Sequence, residues 1–178
     1  MKNMMVIVVV VTLLTGCTTY RYNLTPGYTP PDGKEIAVEY VAFDNNAMSS
    51  NFTKLLEEQL SECGKINYLH ADEVEEILGK KKVEVPKRIN ATNCKAIRDA
   101  LNVRFLLRSS ISNFQSFDGR SKAEATGSIS IYDLDNGSLV FEAYGSETGG
   151  TIFSTPEGQV KDVFYYLLRK WNGFCSYR

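Results

Sequence analysis

Residues 123–131 alternate without a break. Ala123, Ala125, Gly127, Ile129 and Ile131 are small or apolar, while Glu124, Thr126, Ser128 and Ser130 between them are polar. Strict period two requires a β-strand with one dry face and one wet face. The Asp135-Asn136-Gly137 run that follows is a tight hairpin signal, because Asn and Gly adopt positive φ at low cost. Leu139 to Glu147 returns as the next strand, with Leu139, Phe141 and Ala143 on one side. Upstream, Val103, Phe105, Leu106, Leu107 and Ile111 form a nearly continuous apolar strand of the kind buried on both faces, and Phe117-Asp118-Gly119-Arg120 supplies the turn between them. Three antiparallel strands with a dry face need a cover. Val160, Val163, Phe164, Leu167, Leu168 and Trp171 provide it, at the i, i+3, i+4, i+7, i+8, i+11 positions of one helix stripe. Thr155 is placed to cap that helix and Pro156 suits its first turn.

The first half of the chain mixes the two periods. Lys34 to Phe43 reads as a strand from its β-branched and aromatic content. A helix follows from about Ser49 or Ser50 to Cys63, with Phe52, Leu55, Leu56 and Leu60 on one stripe and Gly64 as its stop. Ile66 to Leu69 is a short strand. Ala71 to Leu78 is a short helix with acidic first turns, closed by Gly79. Lys80 to Ala91 reads as a loop, and Asn93 caps a helix to about Asn102 with Ala96, Ile97, Ala100 and Leu101 inward. The expected fold is α/β: a mixed sheet of about five strands covered by helices, in the order β-α-β-α-α-β-β-β-α.

The amino terminus carries an address. Lys2 precedes an uncharged stretch from Met4 to Leu13, too short to span a membrane: about ten residues make roughly 15 Å of helix against a core of about 30 Å. Leu14-Thr15-Gly16-Cys17 then matches the bacterial lipobox. It implies cleavage after Gly16, a diacylglycerol thioether on Cys17 and an acylated amine, and two or three acyl chains anchor stably where one is marginal. Three parts result: residues 1–16 as lipoprotein signal peptide, 17–33 as the lipidated cysteine and an extended, flexible tether rich in Pro, Gly and Tyr, and 34–178 as a single domain. Thr18, with no Asp after the lipidated cysteine, fits sorting to the outer membrane, facing the periplasm.

Twenty basic against 21 acidic side chains give a formal charge of −1. That balance argues against a nucleic-acid binder, which would carry a basic excess or stripe. Cys63, Cys94 and Cys175 remain besides Cys17. Three pairings among them are open in an oxidising compartment, as is a fully reduced chain; Cys63 with Cys94 is favoured, since they fall near the end of one helix and the start of another. Chemistry is sparse. His70 is the one histidine, and no Gly-rich phosphate loop, HExxH or CxxC occurs. Asp133 and Asp135 read as turn-formers and Glu57, Glu58 and Glu62 as a solvated helix face. No enzyme, metal site or cofactor is expected.

Four segments in this order resemble the curli secretion channel family, which is structurally akin to the TolB amino-terminal domain and to lipoproteins that activate penicillin-binding proteins. They are the Ile36 to Phe43 strand with the helix ending in Leu60, Ala71 to Leu78, the run ALNVRFLLRSSI (100–111), and the hairpin ISIYDLDNGSLVF (129–141). The resemblance spans about Ile36 to Trp171. The two long amphipathic hairpins that build the channel members' barrel have no counterpart here. The resemblance implies a non-enzymatic, lipid-anchored adaptor or assembly factor working through contacts with an envelope protein. The wet meander side (Lys122, Glu124, Thr126, Ser128, Ser130) and the basic stretch Lys80, Lys81, Lys82 are the expected contacts. An auxiliary lipoprotein of lipid or solute transport is the alternative; an oligomeric secretion pore, which would make the chain a homo-oligomer, ranks third.

Overall fold

A computed structural model describes residues 17–25, 36–62, 67–115, 123–149, 155–169 and 171. Six strands form one sheet: β1 (Cys17–Leu24), β2 (Ile36–Val38), β3 (Tyr68–Leu69), β4 (Phe105–Gln115), β5 (Ala123–Asp133) and β6 (Ser138–Gly149), in the spatial order β1-β6-β5-β4-β2-β3. β2 runs parallel to β3 and β4, and the β4-β5-β6-β1 block is antiparallel, so the sheet is mixed. Among the described residues four helices cover it: α1 (Asn46–Glu62), α2 (Ala71–Lys81), α3 (Cys94–Leu101) and α4 (Pro156–Arg169).

Two cores sit on opposite faces. The larger packs α1 and α4 on Phe105, Leu107, Ile111, Ala125, Ile129, Ile131 and Phe141. All six stripe positions from Val160 to Trp171 are fully buried, as the spacing requires, and each contributes about 1.5–3 kcal/mol of transfer free energy. Thr155 caps α4 by accepting the Gly158 N–H through its Oγ1 at 3.1 Å. The smaller core places α2 and α3 on Ala37, Leu106 and Leu134. Only the start of β4 is therefore dry on both sides: Phe105, Leu106 and Leu107 are buried, whereas Arg108 and Ser110 beyond the helices are half-buried.

Several expectations are corrected. Residues 17–24 belong to the fold: β1 pairs with β6 from its first residue, Cys17 opposite Thr148. Its own alternation accounts for this, with Tyr20 and Leu24 packing on the larger core while Thr19, Arg21 and Asn23 alternate with them. The rest of the expected tether, 26–33, lies outside the described residues. α1 begins at Asn46 and not at Ser49, because Asn45 Oδ1 accepts the Met48 N–H at 3.1 Å. α2 runs through Gly79 to Lys81 and stops at Lys82, which takes the left-handed conformation with φ 55; the three lysines thus form a helix end, where cations suit the dipole. In α3, Cys94 and not Ala96 faces inward. In β6 a register shift opposite Ile131 and Tyr132 turns both Val140 and Phe141 inward, leaving Leu139 at 37% exposure. The hairpin at Leu134–Gly137 is as expected, with Gly137 at φ 73 and its N–H donated to the Asp133 carbonyl at 2.7 Å.

Candidate interaction face

The helices of the smaller core stop short of β5, β6 and β1. Over these strands the even-numbered side chains of β5 and β6 and the odd-numbered polar ones of β1 share a face that no helix covers among the described residues. Hydroxyls dominate it. Ser110 and Ser128 share a hydrogen bond at 2.8 Å, Thr126 Oγ1 donates to Ser146 Oγ at 3.2 Å, and Ser146 Oγ reaches Glu124 Oε1 at 3.3 Å. Tyr144 stands on the same face at 50% exposure, with Glu142 exposed two residues before it. A half-exposed aromatic set between Ser128 and Arg21 on the neighbouring strands offers contact area at low side-chain entropy, as interface hot spots do.

Where this face meets α2 and the segment after it, a cavity of about 350 Å³ opens between Glu39, Tyr40, Val85, Arg108, Ser128 and Ser130. Arg108 organises its wall. Its Nε pairs with Glu39 Oε2, and Nη2 reaches Glu39 Oε1 at 3.3 Å. The same guanidinium donates to the carbonyls of Pro86 at 2.8 Å and Lys87 at 2.9 Å, tying the 83–90 segment to β4. Tyr40 donates to Asp72 Oδ1, and that hydrogen bond, followed by burial, pushes the phenol up to about 12. Tyr40 is therefore a neutral donor at physiological pH.

The expected contact residues fall in different places. Glu124 lies on the open face, half-buried. Thr126 is buried at 5%, because β5 is a central strand and its neighbours β4 and β6 screen the wet side. Lys122 lies outside the described residues. Lys80 pairs with Glu76 within α2 and Lys81 donates to the Ala100 carbonyl of α3 at 2.7 Å, while Lys80, Lys81 and Lys82 all stay exposed at the end of α2 and not in a loop. Cys94 is buried as a free thiol, its Sγ 3.6 Å from the Ala91 carbonyl, and its favoured partner Cys63 lies outside the described residues.

The carboxylates singled out in the sequence are engaged. Asp133 accepts Arg104 Nη2 at 2.8 Å and the Asp135 N–H at 2.9 Å, and Asp135 accepts Arg98 Nε at 2.9 Å, as turn-formers do. Glu57 departs from the solvated face expected of it: Oε2 meets His70 Nδ1 at 3.0 Å and Oε1 accepts the Ala71 N–H at 2.9 Å, clamping α1 to the start of α2. Glu58 and Glu62 reach Lys161 on α4 at 3.7 and 3.2 Å. Among the described residues no three His, Cys, Asp or Glu side chains gather as a metal site, and no helix is long and apolar enough to cross a membrane. Sequence reasoning missed Tyr144 and Arg108. Both were visible as a large aromatic and a charge on the wet parity of their strands.

No family model matches the chain, and no curated protein sequence matches it. Solved structures do share its fold. The PelC dodecamer of Paraburkholderia phytofirmans aligns with TM-score 0.60 at 15% identity, over 91% of this chain and all of that one. The hypothetical protein CT253 of Chlamydia trachomatis aligns with TM-score 0.55 at 13% identity, over 82% of this chain and 98% of that one. The lipoprotein GNA1162 of Neisseria meningitidis aligns with TM-score 0.52 at 12% identity, over 78% of this chain and 96% of that one. At these identities the likeness is one of fold: the chain has an α/β fold that a bacterial lipoprotein also has.

Proposed function

We propose that this chain is a non-enzymatic envelope lipoprotein, anchored through Cys17 to the periplasmic side of the outer membrane, that works as an adaptor or assembly factor through protein contacts on the open sheet face. The single observation that carries the reading is that uncovered, hydroxyl-rich face with Tyr144 half-exposed on it. A face with no helix over it among the described residues leaves room for a partner to dock, which supports the adaptor reading. The lipobox supports the anchor, and the fold shared with a neisserial lipoprotein supports the class. Further copies of the chain belong among its partners, since PelC, alike over its whole length, is a dodecamer. Resemblance to activators of penicillin-binding proteins fits the same mode of action. The transport-accessory alternative predicts lipid or solute that co-purifies with the chain.

The test is capture of partners by the lipidated protein from envelope extract, with light scattering of the purified protein for self-association. The natural chain is expected to retain a reproducible partner or to form a defined oligomer, and Tyr144→Arg to weaken either by about tenfold or more, since a central aromatic contact is worth about 2 kcal/mol. A monomer with no reproducible partner overturns the reading.

A further inference from the structure

We infer that the lipid is joined to the fold by a rigid mount, so that the end of the sheet carrying Cys17, Thr148 and Glu124 rests on the lipid headgroups. The inference rests on the reading of Cys17 as lipidated and adds what that reading leaves open: which surface meets the bilayer. With acyl groups on its sulfur and its amine, the Cys17 backbone lies at headgroup depth. No spacer follows it, because β1 begins at that residue. The register runs Cys17 to Thr148, Thr148 to Glu124 and Glu124 to Gln115 across four strands. At about 4.8 Å per strand, Thr148 is about 5 Å and Glu124 about 10 Å from the anchor.

β1 is locked against peeling. The Tyr20 ring lies flat across Gly145, where a Cβ would come within 2.0 Å of Tyr20 Cδ1. The ring's other contacts are Tyr166, at 5.0 Å between centroids, and Glu147 Oε2, which accepts its hydroxyl at 2.9 Å. Only glycine admits this aromatic lid, so the pair fixes the register. At the far end of β1, Thr25 N–H donates to the Val140 carbonyl and Thr25 Oγ1 to the Leu139 carbonyl, both at 3.0 Å. Eight residues of free chain would let the domain wander by about 15 Å; eight residues in register hold it still. The opposite end of the sheet, at Ser138 across from Asp133, then stands about 30 Å away along β5.

The experiment places a diazirine-bearing amino acid at Glu124 or at Ser138 of the full-length protein in cells and counts lipid adducts by mass spectrometry. Adducts at position 124 are expected to exceed those at 138 by about tenfold, given the roughly 30 Å between them. Inserting about ten Gly and Ser residues between Thr18 and Thr19 is expected to keep the protein in the membrane fraction while drawing that ratio toward one. Equal adducts with natural spacing, or a ratio indifferent to the insertion, overturn the mount. Cys17→Ser separates the two layers: a serine protein still in membranes sinks the lipid reading itself. A released serine protein together with equal adducts in the natural chain sinks only the mount.

Discussion

Val41 is fully buried next to a strand that has just ended, and its backbone is satisfied by side chains of a helix. Thr53 Oγ1 accepts its N–H at 2.9 Å, and Ser49 Oγ donates to its carbonyl at 2.5 Å. Buried backbone groups must find partners, and here two hydroxyls inside α1 supply them. His70 does comparable work at the start of α2. Its backbone N–H donates to Glu73 Oε2 at 3.1 Å, and its ring holds Glu57. The hydrogen bond to Glu57 raises the imidazole above its usual value, against a smaller opposing effect of burial. A cation favoured in the folded state adds stability that is full below the unfolded pKa and fades as pH rises through the folded one. The melting temperature is therefore expected to fall from about pH 6 to about pH 8 by more in the natural protein than in His70→Gln, as read by circular dichroism. At Arg108, truncation to alanine strands the half-buried Glu39 and frees the carbonyls of Pro86 and Lys87. It is expected to lower stability by about 2 kcal/mol in urea unfolding, with Arg108→Lys recovering little because an ammonium cannot reproduce the fork.

Among the elements, β1 is the least legible in the sequence. The prolines and glycines of 26–33 drew the tether reading back over residues 18–24, although Tyr20, Tyr22 and Leu24 alternate there with Thr19, Arg21 and Asn23. Period two over so few residues decides nothing until a partner strand exists, and β6 supplies one along all eight residues, with Gly145 making room for the Tyr20 ring. Gly145→Val is expected to expel Tyr20 and cost about 2 kcal/mol as an overpacked site. Amide exchange should then rise across residues 18–24 while β4 and β5 keep their protection. Unchanged protection in β1 would show that the ring is not what holds it. The longer elements were plain from sequence for the opposite reason: α4 and β5 carry their period over enough residues to identify themselves. Ends were not, since Asn45, Lys82 and Val140 are set by a cap, a left-handed residue and a bulge that leave no periodic trace.

At the level of the whole molecule, layer order was legible because each amphipathic helix needed a sheet face and the meander offered one. The second core was less so. Whether α2 and α3 cover all of the far face or only part of it depends on where a helix lies across a sheet, which period and propensity do not encode. That partial cover creates the open face, and hence the candidate site. Glu124 was within reach of sequence reasoning, while the screening of Thr126 by neighbouring strands was not. A lipid on the first residue of β1 would turn this open face into a surface presented at a set height above a bilayer. The most direct measurement is membrane fractionation of the Cys17→Ser protein beside the natural one. Release of the serine protein into the soluble periplasmic fraction, with its circular dichroism unchanged, is the result expected of lipid anchoring. Sedimentation of both proteins with membranes contradicts it.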